Sequence, residues 1–378
     1  MARNIQDRLS GLSSRRKGLD SISKARLTVH AQDELLAKSL TEEKWQKRAT
    51  TQPYTRYALG AMQAVDAAYT QKSKDEAERV AQQLRSGVSV SVETRLQGSV
   101  PLDVHIRGVS DVDLLVLDTS FYTYDVLGAK AQLGGYIYPS SKTSLGVLQA
   151  LRSEAETLLK TRFWGAKVDC TGSKCIALSG GSLVRPVDVV PSHWHDTPAY
   201  QRSFAEADRG VTILDKSVPA PRENLPFTHI ARIHQRDVEV YGGLKKAIRL
   251  IKNLKSDAEH QILVNKLPSF DIAGLLYHAD QTALRAGFIN ELYILREAQR
   301  LFDWCYANKA AARLLRTPDD TRYVLDSEDK FTGVQSLSVE LDDLAREVAI
   351  EQGLLAAATT NWQDIYRVLG EARIPDAA

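Results

Sequence analysis

Three features of the chain predict an α+β fold with two lobes. Period-two alternation is confined to short stretches between residues 88 and 190, while helical periodicity flanks it on both sides. From about residue 210 the strand signals fade and only helical patterns remain. A boundary near 215 follows, with a mixed first domain over 1–215 and a helical second domain over 216–378.

The elements follow in order. Residues 1–50 are polar and basic-rich with weak helical periodicity. TRYALGAMQAVDAAYTQKSKDEAERVAQQLR (55–85) predicts one long helix, with Leu59, Met62, Val65 and Ala68 along one side and Ser86-Gly87 as its end. Val88, Val90 and Val92 then alternate with polar residues up to Gly98, which predicts a strand, and Val112–Leu117 predicts the next. Residues 143–165 form an amphipathic helical pattern closing at Gly165, and CIALSGGSLVRPVDVVP reads as a hairpin about Gly180-Gly181. Downstream, YGGLKKAIRLIKNLKS (241–256), FDIAGLLYHADQ, FINELYILREAQRLFDWCYANK and SVELDDLAREVAIEQGLLAAA are helical patterns, and the tail EARIPDAA is expected to fray.

Composition excludes several classes. The chain has 378 residues, 43% of them hydrophobic and 25% charged, as in an ordinary soluble protein. Its net charge of +2 gives no whole-molecule reason to bind nucleic acid, and none is predicted. Cys170, Cys175 and Cys305 make neither a disulfide framework nor a CxxC zinc pair. No apolar run approaches the roughly 18 residues of a membrane span, and the N-terminus lacks the apolar core of a signal peptide. No membrane association is expected, and a cytoplasmic location is the default.

One stretch needs a chemical explanation. In GSVPLDVHIRGVSDVD (98–113), a Gly98-Ser99 turn at a strand end is followed, after 11 residues, by Asp111 and Asp113 at the mouth of an apolar strand. Residues two apart on a strand point to one face, so the carboxylates repel unless a cation sits between them. Oxygen-only ligands select a hard cation, Mg²⁺ or Mn²⁺. The amides and hydroxyl of a Gly-Ser turn suit a phosphate. Asp188 is the one acidic residue in the strand LVRPVDVVP, where an unpaired carboxylate is costly. Three carboxylates with a phosphate turn predict a phosphoryl-transfer site with two metal ions. Taken singly, an Asp-x-Asp is more often a turn or cap; the combination carries the reading.

QGSVPLDVHIRGVSDVDLLVLD resembles the signature of the DNA polymerase β-like nucleotidyltransferases, and within them the CD-NTase branch, bacterial relatives of cyclic GMP–AMP synthase. RPVDVVP resembles that branch's third-carboxylate strand, GGLKKAIRLIKNLK its triphosphate-facing basic helix, and LPSFDIAGLLYH the opening of a later helix. The likeness spans roughly residues 55–280; Asp103-Val104-His105 stands where many members carry a small hydroxyl residue. The resemblance implies a bilobal polymerase β-like fold: a mixed-sheet palm with a long spine helix, and a C-terminal helical bundle over 216–378 completing the nucleotide pocket. It implies that Asp111, Asp113 and Asp188 hold two Mg²⁺ or Mn²⁺ ions, with Asp188 orienting the attacking ribose hydroxyl, and that Gly98 and Ser99 touch the triphosphate. Lys245, Arg249 and Lys252 form one helical stripe, which by itself reads as a solvated face; the resemblance makes Lys252 and Arg249 triphosphate contacts. Ser269 reads as a helix cap or a phosphate contact, and Phe270 as core or a base-stacking ring.

Weaker candidates stand beside these. SHWHD (192–196) reads as a polar loop over the pocket, with Trp194 stacking a base or covering the floor, and SSRRKG (13–18) as a charged surface. The implied function is template-independent synthesis of a cyclic di- or oligonucleotide from NTPs (ATP and/or GTP, or a pyrimidine NTP), serving as a second messenger in CBASS-type antiphage signalling and read by a separate effector protein. The alternatives are a linear transferase, such as an oligoadenylate synthase or RNA-tailing enzyme, and an inactive RNA- or partner-binding pseudo-transferase. Some relatives are conjugated at the C-terminus by a ubiquitin-transfer-like partner, which the small terminal residues here would suit.

Overall fold

A computed structural model describes residues 4–17, 42–137, 140–354 and 361–375. The C-terminal end expected to take a conjugation partner lies outside these residues. The chain divides into two compact units, one of residues 66–103 and 110–232, the other of 1–65, 104–109 and 233–378.

The first unit is built on a mixed sheet. Its strands are β1 (Val92–Gln97), β2 (Val112–Tyr124), β3 (Lys167–Asp169), β4 (Ile176–Ser179), β5 (Val187–Asp196), β6 (Gly210–Asp215) and β7 (Ala220–Asn224). The order is β1-β2-β5-β4-β3, with β6 pairing β5 and β7 pairing β6. β2 and β5 run parallel, and the other pairs are antiparallel. Alternation along the strands assigns the two faces. Val112, Leu114, Val116, Val187 and Val189 pack under helices Ala67–Gly87 and Ser144–Arg162, which supply Ala77, Val80, Ala81, Leu84, Leu151, Ala155 and Leu159. Leu115, Leu117, Val190, Trp194, Val211 and Ile213 form a second cluster. By the same alternation Asp113 and Asp188 share its face.

In the second unit, helix Gly243–Asp257 is the central element, burying Leu244, Ala247, Ile248, Leu250, Ile251 and Leu254. Helices Pro53–Met62, Ser269–Leu276, Leu292–Ala307 and Glu328–Glu351 pack around it. Helix Ile5–Lys17 is tied to this group by Arg8 on Glu340 and by Arg15 on Asp257 at 2.6 Å, where Tyr57 also donates to the Asp257 carboxylate. These ion pairs, with the Glu351 carboxylate accepting from the amides of Tyr54 and Thr55, explain why residues 1–65 group with the C-terminal helices. The contact-based division therefore departs from a single boundary at 215/216.

Several local expectations are corrected. The helix expected over 55–85 is two, Pro53–Met62 and Ala67–Gly87, because Asp66 caps the second by accepting from the amides of Ala68 and Tyr69. Asn253, Arg249 and Arg16 take the carbonyls of residues 61–64 that a continuous helix would have used. β1 starts at Val92, not Val88; Val88 and Val90 pack against the helix-covered cluster without pairing. The β6–β7 hairpin lies beyond the point where strand signals fade. The tail is held as far as Pro375, since Arg48 donates to the carbonyls of Ile374 and Pro375.

Candidate active site

Strand register brings the predicted carboxylates together. Gln97, the last residue of β1, pairs with Asp113, so the Gly98-Ser99 turn begins beside the start of β2. Across the parallel pair Asp113 stands opposite Asp188, and Asp111 lies two residues earlier in the chain. Register thus places five predicted residues, Gly98, Ser99, Asp111, Asp113 and Asp188, at the same end of three adjacent strands.

Gly98 is required there on two counts. Its φ is +75°, and a Cβ built on it would lie 2.1 Å from Asp113 Oδ2. The Asp113 carboxylate occupies the space that any other residue's side chain would claim.

The electrostatics match an anionic cluster. Burial, and after it the charge of Asp188, raises the Asp111 carboxyl above its ordinary value; burial raises that of Asp188. Cys175 Sγ approaches Asp188 Oδ2 at 3.5 Å, and burial with the neighbouring Asp188 pushes the thiol up to about 11. Arg152, buried at 3% exposure, fixes this segment by donating to the carbonyls of Cys170, Gly172 and Cys175. Cys175 is a free thiol, and the sequence, which gives it no disulfide or zinc pairing, does not mark it as a neighbour of the site. The available signal was its position two residues before Ala177, the β4 partner of Asp188.

Among the described residues no three His, Cys, Asp or Glu side chains converge as a ready-made ligand set. The chemistry still fits a hard divalent cation: oxygen donors on paired strands, two of them raised by burial, with one raised further by its neighbour's charge.

The other candidates fall on other elements or further along β5. Arg249, Lys252, Ser269 and Phe270 belong to the helical unit. Arg249 and Lys252 are each 6% exposed; Arg249 Nε donates to the Met62 carbonyl at 2.8 Å and Lys252 Nζ to that of Val104 at 2.8 Å. Ser269 is the first residue of its helix, after an N-cap at Pro268, so it is not the cap. Phe270 is 37% exposed, with the Arg322 guanidinium over its ring. SHWHD is not a loop: all five residues are buried in β5, where Ser144 pairs with His193 and Arg209 with Asp196 while lying over Trp194. In SSRRKG, Arg15 and Arg16 are committed to Asp257 and Glu43.

A Gly-Ser turn and three carboxylates at one end of a mixed sheet are the groups that phosphoryl transfer with metal ions calls for. Residues 231–339 match the family profile described as the cGAS/DncV-like nucleotidyltransferase C-terminal helical domain. The chain is 40% identical, over 82% of its length and 80% of the relative's, to the cyclic dinucleotide synthase CdnE of Yersinia aleksiciae. The solved STING-associated CdnE c-di-GMP synthase from Capnocytophaga granulosa superposes with a TM-score of 0.67 at 25% identity, covering 90% of this chain and 97% of that one. The STING-associated CdnE c-di-GMP synthase from Flavobacteriaceae sp. gives 0.70 at 21% identity, with 92% and 98% covered, and so shares the fold. The chain belongs to the cGAS/DncV-like nucleotidyltransferase (CD-NTase) family, and its polymerase β-like α+β fold is that of the family.

Proposed function

We propose that this enzyme joins two NTPs into a cyclic dinucleotide where β1 ends and β2 and β5 begin. The observation that carries the reading is the register: Asp113 faces Asp188 across a parallel pair, with Asp111 two residues away and Gly98-Ser99 at the neighbouring strand end. The similarity to a synthase named for cyclic dinucleotides supports it.

Asp111, Asp113 and Asp188 would hold Mg²⁺ or Mn²⁺. Such ions, when bound, activate a hydroxyl and stabilise the charge of an in-line displacement. The chain's own residues do the rest. The Gly98-Ser99 turn offers amides and one hydroxyl to the triphosphate of the donor nucleotide. Asp188 orients the ribose hydroxyl of the acceptor toward the α-phosphate, and pyrophosphate leaves. A second displacement in the same site closes the ring. Two structural relatives are c-di-GMP synthases by name, so GTP is the first substrate to test and c-di-GMP the first product to seek. Their STING association makes a separate effector that reads the product part of the proposal. So is a cytoplasmic location; no helix among the described residues is long and apolar enough to cross a membrane.

The test is incubation with each labelled NTP, alone and in pairs, with Mg²⁺ or Mn²⁺, followed by mass spectrometry and linkage-specific nuclease digestion. A cyclic dinucleotide is expected. Linear products alone would move the assignment to a linear transferase, and no product from a folded enzyme would refute it.

A further inference from the structure

The N-terminal helix has no part in the chemistry above, yet its end is joined by hydrogen bonds to the segment that leads into the carboxylates. Residues 104–109 group with the helical unit, whereas residues up to 103 and from 110 onward belong to the sheet unit. The chain thus leaves the sheet unit after the Gly98-Ser99 turn and returns to it one residue before Asp111.

This excursion is held at both ends. Val104, His105 and Ile106 are 3%, 2% and 4% exposed. Lys252 Nζ donates to the Val104 carbonyl at 2.8 Å, and Arg107 Nη1 donates to the Arg16 carbonyl at 2.6 Å. The Arg16 carbonyl is a fixed acceptor because its side chain is clamped. Arg16 Nε donates to both Glu43 oxygens at 3.0 and 2.8 Å, Nη1 to the Gln63 carbonyl at 3.2 Å, and Nη2 to the Ala64 carbonyl at 2.8 Å. Glu43 is fixed in turn by Trp45 Nε1 at 2.8 Å, and the Trp45 ring fills the space over Gly60. A guanidinium on carbonyls just past a helix C-terminus is favoured by charge as well as by hydrogen bonding.

We infer that Arg16 is a positioning residue for Asp111 and Asp113, acting through the Arg107 bond and the 104–109 loop, with Lys252 holding the loop's other end. This rests on the nucleotidyltransferase reading. Residues 42–47 and the end of helix Ile5–Lys17 then have a role the sequence does not disclose: they set the backbone that carries two of the three carboxylates. A shift of about 1 Å in such groups costs on the order of 10²-fold in rate, so even partial loosening is measurable.

The test compares Arg16→Ala, Arg16→Lys and Arg107→Ala in the full chain, by steady-state kinetics and by amide hydrogen exchange resolved to peptides. Arg16→Ala and Arg107→Ala should each lower kcat about ten-fold or more with KM for the NTP within about two-fold, since the groups that bind phosphate are untouched. Exchange should quicken over 104–113 and stay unchanged in helix Gly243–Asp257. Arg16→Lys, which keeps the charge, should recover part of the loss, and a double variant combining Arg16→Ala with Arg107→Ala should lose no more than either single one. Unchanged kcat or unchanged exchange at 104–113 would overturn the inference. So would a loss confined to KM, which would mark substrate contact, or faster exchange throughout helix Gly243–Asp257, which would mark general unfolding. If the wild type made no product, the nucleotidyltransferase reading would fail, while exchange at 104–113 would still report whether Arg16 holds the loop.

Discussion

Replacing Gly98 by alanine tests the site at one atom. The new Cβ would lie 2.1 Å from Asp113 Oδ2, where real Cβ atoms are essentially never closer than 3.0 Å, so the carboxylate must retreat by about 1 Å. The backbone adds a second cost, because φ of +75° lies in the left-handed region, which costs a non-glycine residue about 1–2 kcal/mol. Gly134 separates the two effects. It has φ of +70° and nothing within 4 Å of its would-be Cβ, so Gly134→Ala carries only the backbone cost. Both variants should lower the melting temperature by about 2–8 °C, the shift expected for that cost in a domain of this size. Gly98→Ala alone should lose activity, by on the order of 10²-fold in kcat. The assay is cyclic product per unit time by mass spectrometry, with thermal melts on the same preparations. Gly98→Ala within about three-fold of wild type would refute the claim that the Asp113 carboxylate must occupy that position.

Two further expectations follow from the titrating groups. With its thiol pushed up to about 11, Cys175 should react with iodoacetamide at pH 7.5 roughly 10²-fold more slowly than an unperturbed cysteine. Its rate should climb with pH to about 11, and a plateau below pH 9 in peptide-resolved mass spectrometry would contradict the placement beside Asp188. Asp342 is held at about 6, chiefly by burial and also by Asp303, and shares the Gln299 amide with Asp303. Its folded pKa is above its unfolded one, so its contribution is fully present below about pH 4 and is lost as pH rises through 6. Asp342→Asn should therefore raise stability at pH 7.5, by about 1 kcal/mol once solvent screening of this half-buried group is allowed for, and do nothing at pH 4. Melts across that range check the sign, and a variant less stable at pH 7.5 would contradict it.

The carboxylates were legible in the sequence because the rules placing them are local. Asp111 and Asp113 share a face by strand alternation, and an acid in an apolar strand announces Asp188. The rest depends on distant partners. The break at residues 63–66 is only partly written in 55–85: Asp66 is a local cap, but the carbonyls before it are taken by Arg16, Arg249 and Asn253 from other helices. Arg249 and Lys252 read as part of a solvated stripe, yet they are buried and donate to backbone carbonyls 187 and 148 residues away. SHWHD reads as a loop from its polarity, yet it is buried strand because its polar groups find partners across the unit, such as Ser144 for His193 and Thr123 for His195. Polarity tracks exposure only where such partners are missing.

In the proposed reaction Asp111, Asp113 and Asp188 would hold the ions on which synthesis depends. Mn²⁺ binding followed by electron paramagnetic resonance, with a non-hydrolysable NTP present, measures this without relying on turnover. Two ions per chain are expected for wild type, with loss of both in Asp113→Asn and no cyclic product from that variant. Full Mn²⁺ occupancy in Asp113→Asn, or cyclic product from that variant, would show that these carboxylates do not hold the ions.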